Sequence, residues 1–228
     1  MHKLKRLSLD GLSALRNLDG LKGLSGLETI NISQCGSIEN LDVLKWLQNI
    51  IMISIEDCGS LENVDALDGM ENLVLKRDSG LIDLCGCNSL KDLKGLKNLK
   101  GITSLRMHNS SFENLDIFSE MTHLKKIGLR KSRQSSTKVK DISGLKNLAG
   151  LVELNLEGAG DLETLDGLEG CKSLKKIILI SCKKLKNVDA LLELPALAHI
   201  FLRGSGIKRD KCPVQLLDIA DWQESNIR

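Results

Sequence analysis

Residues 27–49 read LETINISQCGSIENLDVLKWLQN, and this stretch decides the fold of the chain. Its aliphatic residues first alternate with period two, at Ile30 and Ile32, and then recur at every third position from Cys35 onward. Period two is typical of a short strand with one face buried, whereas period three is the spacing of 3-10 or polyproline-like backbone. The stretch therefore predicts one short strand followed by one tight return arm.

The same pattern recurs along the chain, in most places with a period of 23 residues. One such coil cannot bury its apolar stripe alone, so neighbouring coils must stack and share a core. The sequence predicts one α/β solenoid domain of about nine repeats over residues 1–207, followed by a cap over residues 208–228. The repeats begin at Leu4, Leu27, Ile50, Leu73, Ile102, Leu124, Leu151, Leu174 and Leu197.

This pattern, from Leu4 to about Ile207, resembles that of leucine-rich repeat proteins, and in particular the short repeats of phosphatase-one regulators and bacterial internalins. The resemblance implies a right-handed superhelix with a parallel concave sheet of about nine short strands and a mostly 3-10 or irregular convex side. One departure concerns the position after the strand, where the family usually has asparagine. A cysteine-type variant of that position also exists in the family. This chain has Cys35, Cys58, Cys87 and Cys182 there.

Both ends of the repeat array need a cover for their apolar core. At the C-terminus, Pro213 suits a first helical turn, and Val214, Leu217 and Trp222 are predicted to pack on the last coil as an amphipathic helix. At the N-terminus the first core residue is already Leu4. We therefore expect either dimerisation through that edge or, as our preferred interpretation, a chain that is part of something longer.

Three repeats depart from 23 residues, and extra residues in a stacked core must form surface loops. About six residues are added around Leu73–Asp78, one is missing near Ser110–Phe112, and four are added within Arg133–Lys138. The basic, hydroxyl-rich stretch Arg130–Lys138 is interpreted as a solvated loop. The alternative is a contact loop controlled by phosphorylation, which would reverse its charge.

Composition limits the classes of partner and the compartment. The 228 residues include 32 basic and 30 acidic side chains, a balance that argues against a nucleic-acid partner. No apolar run reaches the roughly 20 residues that cross a bilayer, and the N-terminus lacks an apolar signal segment. The seven cysteines fall mostly at core positions rather than in a disulfide pattern. We expect a cytoplasmic protein with no membrane partner.

Several motifs are candidates for metal or catalytic sites. An acidic residue recurs at Asp19, Asp42, Asp65, Asp116, Asp166 and Asp189, with Ser143 and Lys94 in the same position. A metal-binding ladder would stack like charges at the strand spacing, so we interpret these residues as caps of the tight helical turns.

The remaining candidates for chemistry are equally weak. The Cys85-Gly86-Cys87 motif lacks a matching histidine pair, and the outward-facing His108 and His199 lie four coils apart. Neither pattern supports a nucleophile with an adjacent base. The sequence therefore predicts no metal, no cofactor and no enzymatic activity.

The residues that flank the inward pair of each strand should point into the concavity and form the binding surface. The fifth and sixth repeats are predicted to form a basic cluster there, and the eighth and ninth an exposed apolar patch, which is the kind of anchor that protein interfaces use. The alternative is that the C-terminal segment folds over this patch. The predicted contact residues are Arg106, His108, Lys126, Arg130, Lys176, Ile178, Ile180, His199, Phe201 and Arg203.

These patterns predict a non-catalytic module that binds a protein on its concave strand face, as a monomer or as part of a longer chain. The alternative is the substrate-recognition fragment of a larger enzyme or immune-type receptor, such as a ubiquitin ligase or a nucleotide-hydrolysing receptor. Phosphatase regulation is a narrower form of the first hypothesis and is implied only by the resemblance.

Overall fold

The computed structural model describes residues 3–70, 73, 80–108, 112–130 and 137–222, without the side chain of His108. The chain divides into two compact units, Met1–Ser110 and Ser111–Arg228. The predicted insertion at Leu73–Asp78, the shortened stretch at Ser110–Phe112 and the loop at Arg130–Lys138 lie mostly outside the described residues.

The first unit consists of short parallel strands that alternate with 3-10 helices. Strands β1, β2 and β3 form one parallel sheet in that order, and β4 pairs in parallel with β5. Its described elements are β1 (Arg6–Asp10), η1 (Asp19–Leu21), β2 (Thr29–Ser33), η2 (Asp42–Trp46), β3 (Met52–Glu56), η3 (Asp65–Leu67), β4 (Leu81–Asp83), η4 (Lys94–Leu96) and β5 (Ser104–His108).

The second unit has the same organisation. Strands β6 to β10 pair in parallel in chain order. Its described elements are η5 (Asp116–Phe118), β6 (Lys126–Arg130), η6 (Ser143–Leu145), β7 (Glu153–Asn155), β8 (Lys176–Ile178), η7 (Asp189–Glu193), β9 (His199–Phe201), η8 (Arg209–Lys211), η9 (Val214–Ile219) and β10 (Ala220–Asp221).

The register of the strands follows the repeat of the sequence. Leu7 lies beside Ile30, and Ile30 lies beside Ile53, so each inward residue meets its counterpart one repeat later. In the second unit Leu154 and Ile177 are paired in the same way. These inward side chains are buried in both units, except in the first repeat. The predicted repeat fold of parallel strands and 3-10 return arms is confirmed.

The return arms begin with a turn that the sequence analysis assigned to the wrong residue. Asp65 is the first residue of η3, and the N-cap position before it is occupied by Val64, whose apolar side chain makes no cap. Instead, Oδ1 of Asn63 accepts a hydrogen bond from the backbone N–H of Asp65 at 3.2 Å. That N–H is one of the free amides at the helix start, and a short Asx side chain two residues earlier reaches it. The same contact is made by Asn17, Asn40, Asn63, Asp92, Asn114, Asp141 and Asn187.

The seventh repeat shows what happens when the Asx residue is missing. Thr164 holds its position, and the arm that follows contains turns but no 3-10 helix. Gly167 adopts a φ of +107°, and its N–H lies 2.9 Å from both carboxylate oxygens of Glu169. This backbone hydrogen bond lowers the pKa of Glu169. Asp166, predicted as a cap, therefore starts no helix.

The cysteines after the strands are buried, as predicted, and their thiols meet backbone carbonyls. The Sγ of Cys35 lies 3.6 Å from the carbonyl oxygen of Leu9, and the Sγ of Cys182 lies 3.3 Å from that of Leu156. Each contact crosses to the preceding coil. A thiol thus serves here as a small apolar group that also donates a weak hydrogen bond.

The first repeat has an incomplete core. Leu4 and Leu12 are 41% and 45% exposed, whereas Leu27 and Cys35, their counterparts one repeat later, are fully buried. The difference arises because the described residues contain no coil in front of the first one.

The C-terminal segment pairs with β9 through β10, and its helix is a 3-10 helix rather than the predicted amphipathic helix. Residues 214–219 form a 3-10 helix after Pro213, in which Leu216 is buried and Val214 is 78% exposed. The tighter turn of a 3-10 helix directs different side chains inward than the expected α-helical spacing would. Beyond this helix, Trp222 is half-buried, with the Arg209 guanidinium 5.7 Å from its ring centroid.

The Asx turns give a first test of what starts each return arm. Replacing Asn63 with alanine leaves the N–H of Asp65 without its acceptor, and we expect a loss of about 1 kcal/mol in the free energy of unfolding. Asp65→Ala is the matched control and should change it by less than about 0.5 kcal/mol. Urea unfolding of both variants measures the difference, and a larger loss for Asp65→Ala would contradict the assignment.

The stacking of return arms gives a second test, because two glycines occupy the same position in different coils. A Cβ on Gly95 in η4 would lie 2.0 Å from the backbone oxygen of Val64, whereas a Cβ on Gly20 in η1 would meet nothing within 4 Å. We expect Gly95→Ala to destabilise the chain by about 3 kcal/mol, and Gly20→Ala to leave it unchanged or stabilise it slightly. Equal melting temperatures for the two variants would refute this arm-to-arm contact.

Candidate interaction face

The outward side chains of the strands form a surface that we call the strand face. In the first unit this surface is largely polar, apart from Met52 and Leu81, and hydrogen bonds join neighbouring strands. Asn31 Nδ2 donates to Ser8 Oγ at 3.3 Å, and the Ser33 hydroxyl donates to Asp10. These contacts join residues of β1 to their counterparts on β2, so the face is ordered by the same register as the core.

The predicted basic residues of the fifth repeat lie on this face, but the charge of Arg106 is balanced. Its guanidinium Nη1 lies 3.0 Å from Asp83 Oδ2, on the neighbouring strand β4. His108 ends β5, and its side chain is outside the described part of the chain.

The predicted basic residues of the sixth repeat are balanced as well. Lys126 Nζ lies 3.5 Å from Glu153 Oε2, and Arg130 Nε lies 3.1 Å from Glu157 Oε2. Glu153 also contacts Lys176 Nζ at 3.1 Å and so bridges two lysines on opposite sides. The predicted basic cluster did not include the carboxylates one repeat away, with which Arg106, Lys126 and Arg130 pair. The strand register supplies the signal that finds them, because opposite charges at facing positions pair.

The predicted exposed patch on β8 and β9 is wrong for two of its three apolar residues. Ile178 and Ile180 are only 2% and 5% exposed, and Phe201 is half-buried. Ile178 lies between Asn155 and Phe201 in the strand register, so the side chains of these two residues flank it on the outward face. A side chain on the strand face can thus be buried by other side chains of the same face.

The ring of Phe201 remains partly accessible and is bordered by charge. The ammonium of Lys176 lies 5.6 Å from its ring centroid, a distance that suits a cation–π contact. His199 is exposed and Arg203 is half-buried. On the far side, Ala220 and Asp221 pair with β9 as a further strand. The structure therefore places Lys176 and Ile178 next to the ring of Phe201.

The pKa is raised for six of the seven thiols, which disfavours their nucleophilic thiolate form, whereas a hydrogen bond with Cys87 lowers the pKa of Cys58. Burial raises the pKa of Cys171 to about 11 and that of Cys182 to about 12. Burial also raises the pKa of Cys85, the half-buried member of the Cys-x-Cys motif, and a hydrogen bond to Cys58 raises that of Cys87. Over the described residues, no group of three or more histidine, cysteine or acidic side chains is placed to hold a metal ion.

Of the histidines in the second unit, His123 is half-buried and His199 is exposed. Burial lowers the pKa of His123, and its Nε2 is buried without a hydrogen-bond partner among the described residues. The described chain also contains no helix long and apolar enough to span a bilayer.

Comparisons with known proteins give structural matches only. No protein-family model matches the sequence, and a search of curated proteins finds no match. Internalin C2 from Listeria monocytogenes is 20% identical, with a TM-score of 0.64 over 86% of this chain and 79% of that chain.

Two further structures are similar at the same level of identity. The leucine-rich repeat domain of the type III effector XopL is 19% identical, with a TM-score of 0.73 over 95% of this chain and 73% of that one. TLR13 in its complex with the single-stranded RNA ssRNA13 is 20% identical, with a TM-score of 0.56 over 90% of this chain and 33% of that one. Together with the strand register and the 3-10 arms, these matches show that the chain has the leucine-rich repeat fold.

Proposed function

We propose that the chain is a non-catalytic module that binds a protein partner on its strand face, with Phe201 as the anchor of the contact. The observation that supports this most directly is the half-buried ring of Phe201 on a face whose other described residues are largely polar or charged. Partly exposed aromatic rings held at the centre of a charged surround are typical of the residues that dominate protein interfaces.

The surroundings of Phe201 favour a rigid contact. Ile178 is buried beside the ring, and the ammonium group of Lys176 lies against it. A ring that is already held in place loses little conformational freedom when a partner covers it. The buried isoleucines therefore support the anchor rather than form the contact itself, which refines the predicted patch.

The charges of the face favour a protein over a nucleic acid. Lys126, Arg130 and Arg106 each lie against a carboxylate, and the whole chain has a formal charge of only +2. A nucleic-acid site needs cations that are available to phosphates. Paired charges of both signs instead suit the rim of a protein interface, where they select partners more than they add affinity.

A second candidate function is substrate recognition within a larger enzyme or receptor. The similarity to the leucine-rich repeat domain of the effector XopL supports it, because that structure is one domain of a larger protein. Both candidates use the same face and need no cofactor. We also propose a cytoplasmic location, since the cysteines are free thiols. The boundary between the repeats and the C-terminal cap is proposed to lie after residue 207.

The binding role of Phe201 can be measured once affinity capture with the full chain and mass spectrometry have identified a partner. We expect Phe201→Ala to weaken binding by at least about tenfold, because a truncated anchor costs more than about 1.4 kcal/mol. Trp46→Ala is the matched control, since Trp46 is an aromatic residue on η2 that is 66% exposed and lies off the strand face. Unchanged affinity for Phe201→Ala, or loss with Trp46→Ala alone, would remove the proposed anchor.

The free energy of unfolding distinguishes the roles of Phe201 and Ile178. Ile178→Ala empties a buried position and should lower the free energy of unfolding by about 2–4 kcal/mol. Phe201→Ala should cost less, since the ring is only half-buried. Thermal unfolding of the two single variants gives the comparison, and a larger loss for Phe201→Ala would show that the ring belongs to the core.

A further inference from the structure

Strand β1 lies at one side of the sheet in the first unit. Among the described residues, β1 pairs only with β2. The carbonyl of Lys5 accepts from Thr29 N–H, and Gly11 N–H donates to the Ser33 carbonyl, so the odd-numbered residues face β2. Backbone groups alternate in direction along a strand. The N–H and C=O groups of residues 6, 8 and 10 therefore point away from β2, to the outer edge of the described sheet.

The sequence of this strand is complementary to itself when it is read in the opposite direction. Residues 6–10 are Arg-Leu-Ser-Leu-Asp. In an antiparallel pair centred on Ser8, Arg6 faces Asp10 of a second copy, and Leu7 faces Leu9. The edge-facing residues 6, 8 and 10 then become the hydrogen-bonded pairs of the ladder, which gives about six backbone hydrogen bonds.

The side chains at this edge are available for such a contact. Arg6 is exposed and forms no ion pair with the described residues, and Asp10 is exposed and accepts a hydrogen bond from the Ser33 hydroxyl. Opposite charges at facing positions of an antiparallel pair stabilise it. Two copies would make this Arg6–Asp10 contact twice, once on each side of the axis.

The core of the first coil is less buried at the same place. Leu7 and Leu9 are half-buried, while Ile30 and Ile32, their counterparts on β2, are fully buried. Leu4 and Leu12 are more exposed still. An antiparallel second copy places its own Leu7 and Leu9 on the inward side of the joined sheet, so the two incomplete cores cover each other.

We propose that two copies of this chain associate through antiparallel pairing of their β1 strands about a two-fold axis at Ser8. Such a contact uses the same patch on both copies, so the assembly is a closed dimer. It also satisfies the backbone groups of an edge that would otherwise invite uncontrolled strand pairing. The strand face around Phe201 belongs to the second unit and plays no part in this contact.

A charge-exchange series tests the register. Sedimentation analysis of the wild-type chain should give twice the monomer mass of 25.0 kDa. Arg6→Asp should give a monomer, because it places two carboxylates at each facing pair, and Asp10→Arg should do the same with two cations. The double variant Arg6→Asp/Asp10→Arg restores opposite charges at both pairs and should dimerise again.

The series has clear contrary outcomes. A wild-type chain that is monomeric at its highest soluble concentration would overturn the proposal, as would a double variant that stays monomeric while its circular dichroism matches the wild type. Assemblies that grow with concentration beyond two copies would indicate stacking of β1 on the short β10 strand instead. Phe201→Ala should leave the dimer intact, so this result is independent of the proposed partner site.

Cross-linking locates the axis. Ser8→Cys places two thiols at facing positions across the axis, and a short bismaleimide linker should join nearly all chains into covalent dimers. Ser54→Cys is the matched control, because Ser54 holds the same repeat position on β3. Equal cross-linking of the two variants would refute an axis at Ser8. Background should be low, since the native cysteines are buried or half-buried.

Discussion

The parallel register, in which every strand residue lies beside its counterpart in the next repeat, is the constraint on which the other contacts depend. It stacks Leu7, Ile30 and Ile53 into one apolar column. Insertions do not disturb it, because Ile127 still pairs with Leu154 although 27 residues separate them. A single coil has few apolar contacts of its own, so its stability comes from the interfaces with its neighbours.

The same register explains which parts of the fold could be predicted from the sequence. The strands and the core follow from a local period, and the period survives even where the spacing changes, as at β4. The Asx turns were missed because Asn63 and Asp65 are both short polar residues before an apolar arm, and only the backbone geometry shows which one reaches the free N–H. The arm of the seventh repeat has no 3-10 helix, and Thr164 stands in it at the position of the Asx residue, so the sequence did contain a signal.

The strand face was harder to predict because its character depends on neighbours in other repeats. The alternation rule treats an outward residue as exposed, yet Ile178 is buried beside Phe201. The same rule counts Arg106 as a free cation, although Asp83 lies beside it. Exposed ion pairs of this kind contribute at most about 1 kcal/mol each, so their main effect is on which partner the surface accepts.

The Asx turns have a consequence for the chemical ageing of the protein. In each of these contacts the side chain acts only through an oxygen acceptor, and Asp92 and Asp141 make it as well as Asn63 does. Hydrolysis of an asparagine amide to aspartate keeps that acceptor and adds a negative charge at the start of a helical turn, where it is favourable. Deamidation that preserves the normal peptide linkage should therefore leave the return arms of this chain in place.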